Sequence, residues 1–137
     1  MTMRTVHTVL RDIVPTLEAT TTLDDAEKIM GKRDAAVVVR DGRLAGLLLA
    51  DDLAAARPSA ATTLAIAEVT GALMTIPVSR VMRRAVETVV PETPLAEAAR
   101  LVRDSGAPVV VLAGELPIGL VSAQDLLRAL ADVELAG

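Results

Sequence analysis

Ser122 and Asp125 stand three residues apart in the stretch GLVSAQDLLRAL, Gly119 to Leu130, where a short apolar run meets a helical pattern. A strand ending at Ser122 and a helix starting there would set the hydroxyl beside the unpaired N–H groups of the first turn. With the positive end of the helix, these favour a phosphate or another electron-rich group. Asp125 lies one turn in on the same side, and its two acceptor oxygens complement the two donor hydroxyls of a ribose. Gly119 would let backbone approach closely. Ala107 and Pro108 leave a flat base room against aliphatic walls, among which we count Leu120. The same Ser-x-x-acid spacing is that of a capping box, which satisfies the helix's own donors. The two roles are compatible, because a cap on an empty site can become a ligand contact by a local rotamer change.

A near-copy, GLLLADDLAAA, runs from Gly46 to Ala56, and Gly119 follows Gly46 by 73 residues. Here Leu49 replaces the hydroxyl and Asp51 stands beside Asp52. Leucine cannot donate to a phosphate. The paired carboxylates repel an anion while suiting the helix dipole, with Asp51 able to serve as the cap. Asp52 thus marks a second, weaker site.

Other chemistry is thinly provided. There is one histidine, His7, and no cysteine, which removes disulfides, thiolate catalysis and cysteine metal sites; no nucleophile elbow or Walker-type loop occurs. The acidic pairs Asp24-Asp25 and Asp51-Asp52 are adjacent on helices and do not face one another across a cation, so they read as helix-start charges. Arg80, Arg83 and Arg84 form one local cluster that reads as a solvated surface. The expectation is a binding protein with no metal, not an enzyme.

The elements that position Ser122 and Asp125 occur twice, in one order: a short helix, a strand, a longer helix, two strands and a final helix. TTTLDDAEKIM, Thr20 to Met30, places Leu23, Ala26, Ile29 and Met30 on one side of a helix after a threonine cap, and PLAEAARLVR, Pro94 to Arg103, does the same with Leu95, Ala98, Ala99 and Val102. AAVVVR (35–40) and APVVVL (107–112) read as strands, each leading through a glycine turn into a second strand, LAGLLL (44–49) and PIGLVS (117–122). Leu95 follows Leu23 by 72 residues and Val109 follows Val37 by 72, against 73 between the glycines, which predicts one inserted residue in the second hairpin. VLRDI (9–13) and VSRVM (78–82) read as matching entry segments. Between the halves, 64–76 is apolar enough for a buried or interface helix. The predicted organisation is a first repeat over 1–57, a helical connection over 58–76 and a second repeat over 77–137.

The 137 residues include no Phe, Tyr or Trp, and 52% are hydrophobic, so the core must be built from aliphatic side chains and no base can stack on an aromatic ring. A net charge of −4 argues against a phosphate-backbone surface, hence against nucleic acid as a partner. The N-terminal MTMRTVHTVLRDIV has no run suited to a signal peptide, and nothing approaches the roughly 20 apolar residues of a membrane span, so a cytoplasmic protein with no membrane partner is expected.

The six-element order, the paired VVV strands and the GLVSAQDL ending closely resemble the cystathionine-β-synthase (CBS) domain, over nearly the whole chain. The resemblance implies an α+β fold of two β-α-β-β-α repeats, a tandem pair called a Bateman module, packed through their sheets with pseudo-twofold symmetry. It also implies two clefts able to hold AMP, ADP, ATP or S-adenosylmethionine, with a Ser or Thr at the last strand and an Asp three residues on; Ser122 and Asp125 match, and Asp52 matches in the first repeat. In the family such a cleft borrows the entry strand and pre-strand loop of the other repeat, which carries Thr16, Lys32 and Arg33 toward Ser122 and Asp125, the two cations as phosphate partners. The expected function is that of a stand-alone regulatory module sensing an adenosine nucleotide, a homodimer acting on an unidentified partner. The alternative is a ligand-free dimerisation or scaffold module of the same fold.

Overall fold

The computed structural model describes residues 4–10, 15–56 and 75–136. Of the connection expected over 58–76, only Thr75 and Ile76 fall among them. The chain divides into two compact units, Pro15–Ala85 and a second made of Val86–Gly137 with the N-terminal segment Met1–Val14. The first unit contains β1 (Thr16–Glu18), α1 (Leu23–Met30), β2 (Ala35–Arg40), β3 (Arg43–Leu49), α2 (Ala50–Ala56) and a 3-10 turn, Val78–Arg80. The second contains a 3-10 turn, Val6–Val9, then β4 (Thr88–Val89), α3 (Leu95–Ser105), β5 (Val109–Ala113), β6 (Leu116–Val121) and α4 (Ala123–Ala136). Each unit therefore holds one three-stranded sheet in sequence order, the first pair of strands parallel and the second antiparallel.

Local sequence explains the elements. Thr22 caps α1 by accepting from the Asp25 amide at 3.3 Å, with Asp24 and Asp25 at the positive end of the helix. Leu23, Ala26 and Met30 turn inward onto Leu17, Ala36, Val38 and Leu48 of the sheet, with Leu53 of α2 closing the cluster. In the second unit Ala98 and Val102 of α3 meet Val89, Val109, Val111 and Val121. Ile29, grouped with the apolar side by its spacing, is instead 54% exposed: it follows Lys28 around the helix, away from the stripe carried by Ala26 and Met30.

The hairpins fix the registration of the two repeats. Arg40 and Arg43 flank a two-residue loop, Asp41-Gly42, with both residues at positive φ (54° and 79°), the pattern of a type I′ turn. Ala113 and Leu116 flank Gly114-Glu115, where Gly114 has φ 63°, the pattern of type II′. The loops are equally long, and each second strand carries one extra residue, Ala45 or Ile118, at equivalent bulges. The extra residue of the second repeat is consequently not in its hairpin. It lies between helix and strand, since the core positions Met30 and Ala36 correspond to Val102 and Val109, and α3 runs to Ser105 before Gly106 turns it at φ 69°. The triple valines conceal this shift, because Ala36 rather than Val37 is the counterpart of Val109.

The entry segments also register differently from the expected pairing of Val9 with Val78. Val6, fully buried, is the counterpart of Val78, also fully buried. The Val6 amide donates to Thr93 O at 2.9 Å and the Leu95 amide to Arg4 O at 2.9 Å; correspondingly, Val78 donates to Thr21 O at 2.7 Å and Leu23 to Ile76 O at 3.0 Å. Each entry segment is thus laid against the loop before a helix that is not its own sequence neighbour.

Candidate ligand-binding site

The β6–α4 junction places Ser122 at the N-cap of α4 and Asp125 at its third position. Their bonds are reciprocal. The Asp125 amide donates to Ser122 Oγ at 3.2 Å, while the Ser122 amide and hydroxyl both donate to Asp125 Oδ2, at 2.9 and 3.0 Å. This is a closed capping box with Asp in the acidic position. The hydroxyl and carboxylate are held together on the same side of the first turn, as their spacing predicts. Arg128 adds a guanidinium 3.8 Å from Asp125 Oδ1, half exposed while the Asp125 side chain is 15% exposed. The sequence reading passed over Arg128, although its place three residues after Asp125 was the available signal.

Around this pair, β5 and β6 bring Leu120 opposite Val110 and Val121 opposite Val109. Ala107 and Pro108 immediately precede Val109 and so stand at the same end of the hairpin as Ser122; both are partly buried. Ser105 Oγ accepts from the Ala107 amide at 3.3 Å and fixes this approach. Ser122, Asp125, Ala107, Pro108 and Leu120 therefore share one end of one sheet. The space at Gly119 is already used: a Cβ there would strike the Leu10 side chain of the entry segment, so this glycine admits the protein's own chain.

Thr16, Lys32 and Arg33 belong to the other compact unit. Thr16 opens β1 beside Val37, and Lys32 and Arg33 are exposed in the α1–β2 loop, where the Arg33 amide donates to Met30 O at 3.0 Å.

The corresponding junction of the first repeat differs in kind. α2 starts at Ala50, whose amide donates to Asp34 O at 2.8 Å, so Asp51 lies inside the first turn and is not the cap. Asp52 Oδ2 accepts from Arg83 Nε at 3.0 Å. Arg83 is held there by backbone bonds with Leu47 in both directions, at 2.8 and 2.9 Å, so it is an anchored ion-pair partner, which local sequence could not show. Where the second repeat presents a hydroxyl and a carboxylate, the first presents Leu49 and an engaged salt bridge. His7 is exposed, and no cluster of potential metal ligands occurs among the described residues.

A search of curated proteins gives no match. Among solved structures, the CBS domain of a CBS domain containing membrane protein from Sphaerobacter thermophilus is 25% identical with a TM-score of 0.80, covering 92% of this chain and 87% of that one. The CBS domain pair of protein MJ0100, solved with 5′-methylthioadenosine and S-adenosyl-L-methionine, is 19% identical (TM-score 0.77; 96% and 99% covered). CBSX2, solved in complex with AMP, is 20% identical (TM-score 0.76; 95% and 98% covered). The family model described as CBS domain matches residues 6–59 and again residues 78–132, so two copies of one unit account for most of the sequence, and this chain belongs to the CBS domain family as a tandem pair.

Proposed function

We propose that this protein is a regulatory CBS pair that binds an adenosine nucleotide, AMP, ADP, ATP or S-adenosylmethionine, at Ser122 and Asp125, and that the bound state acts on a partner protein. The observation that carries the reading is the Ser122–Asp125 box set against its counterpart. One junction gathers a hydroxyl, a carboxylate and the first-turn amides of a 14-residue helix on one end of the sheet, whereas the other has Leu49 in place of the hydroxyl and its carboxylate, Asp52, in an ion pair with Arg83. The amides and helix dipole suit a phosphate, and the carboxylate suits the ribose diol, once a rotamer change at Ser122 opens the box. That two fold relatives were solved with adenosine compounds supports the ligand class.

We place the protein in the cytoplasm as a homodimer. No helix among the described residues is long and apolar enough to cross a membrane. Leu127 and Leu130, 64% and 57% exposed and one turn apart on α4, are apolar surface suited to a second copy. The same surface favours the second reading, a ligand-free dimerisation scaffold.

Equilibrium dialysis separates the two. With no Trp or Tyr the protein is nearly transparent at about 280 nm, so retained nucleotide is read directly near 260 nm. The sensor reading expects close to one nucleotide retained per chain. The scaffold reading expects none at millimolar ligand.

A further inference from the structure

The first repeat carries a polar concavity at the opposite end of its hairpin from α2. Arg40, Asp41, Arg43, Leu44, Ala45, Met82 and Arg84 line a groove of about 540 Å³, all within one compact unit. Its floor is aliphatic, Leu44, Ala45 and Met82, and its rim carries three exposed guanidinium groups against one carboxylate, in a protein of net charge −4. The floor is rigidly built. Segment 82–84 is pinned to β3 by the paired Leu47–Arg83 backbone bonds, and a Cβ on Gly46 would lie 2.7 Å from both Arg83 O and Met82 Sδ.

The arginines are not demanded by the fold. Arg40 and Arg43 are register partners across the antiparallel ladder, beside the turn. The second repeat builds the equivalent turn with Ala113 opposite Leu116. Arg83, whose side alternates with that of Arg84, is taken by Asp52, whereas Arg40 and Arg84 have no ion-pair partner among the described residues. The first repeat therefore keeps two exposed guanidinium groups without an ion-pair partner among the described residues, Arg40 and Arg84, at a cavity within the range of small-molecule sites.

We propose that this groove is an anion site for the di- or triphosphate group of a small molecule. The guanidinium forks of Arg40 and Arg84 match phosphoryl oxygens in bidentate pairs. The site stands apart from the reading of Ser122 and Asp125 and does not depend on it.

The test is titration of ¹⁵N-labelled protein with inorganic tripolyphosphate, and with orthophosphate as the single-charge comparison, at about 0.15 M salt. Saturable amide shifts confined to 40–45 and 82–85 are expected, tighter for tripolyphosphate. The double variant Arg40→Gln, Arg84→Gln should weaken binding at least tenfold, and Asp125→Ala should leave it unchanged. Shifts confined to the start of α4, equal binding by the double variant, or preference for an acidic peptide such as oligoglutamate over tripolyphosphate would each overturn the proposal. Because all the altered arginines are exposed, the variants remain folded, and an unchanged melting temperature verifies this.

Discussion

At Ser122 one side chain serves two ends, and the balance between them can be measured. Its hydroxyl accepts from the Asp125 amide and donates to the Asp125 carboxylate, so Ser122→Ala removes a cap worth about 1 kcal/mol. A melting temperature lower by a few degrees is expected, whereas Leu49→Ser in the first repeat should restore none of the second junction's behaviour, because Asp52 stays committed to Arg83. The residue scale is also where the sequence was most informative. Ser-x-x-Asp spacing already contained both the cap and the ligand reading, and the hydroxyl missing from Leu49 already announced asymmetry. Arg83 was illegible as the partner of Asp52 because their contact spans 31 positions and depends on an isolated backbone bridge at Leu47.

Among the elements, the hairpins distinguish two glycines that look equivalent in sequence. A Cβ at Gly46 meets a main-chain oxygen, Arg83 O at 2.7 Å, which cannot move without breaking the Leu47–Arg83 bonds. At Gly119 the obstacle is the tip of the flexible Leu10 side chain. Gly46→Ala should therefore cost about 1–3 kcal/mol and Gly119→Ala distinctly less, as read from urea midpoints at constant slope. Helices were legible here because a period of 3.6 is written in Val, Leu and Ala, and strands because valine-rich runs end at glycine turns; the site of the one-residue insertion was not. Three consecutive valines carry no phase, and only the ladder shows that Ala36, not Val37, matches Val109.

At the scale of the whole molecule, sequence order and packing diverge. Val6 is fully buried in the unit built mainly from 86–137, and Val78 in the unit built from 15–85. Val6→Ala should cost about 1–3 kcal/mol and raise amide exchange in β4–β6, leaving β1–β3 more protected; Val78→Ala should show the reverse. Uniform loosening by either variant would contradict the two-unit division. The six-element repeat was readable from the sequence, but this exchange of entry segments was not, because nothing in TVHTVL names its partner. Sedimentation should give a dimer at micromolar concentration, and Leu127→Glu with Leu130→Glu should shift it to the 14.3 kDa monomer.

Calorimetric titration with AMP, ADP, ATP and S-adenosylmethionine of the unaltered protein, Asp125→Ala and Asp52→Ala tests the central claim most directly. One nucleotide should bind per chain, Asp125→Ala should weaken it tenfold or more through loss of charged-acceptor hydrogen bonds worth about 1.5–3 kcal/mol, and Asp52→Ala should change little. Equal weakening by both variants would contradict the asymmetric site, and no heat from any of the four compounds at millimolar concentration would contradict nucleotide sensing itself.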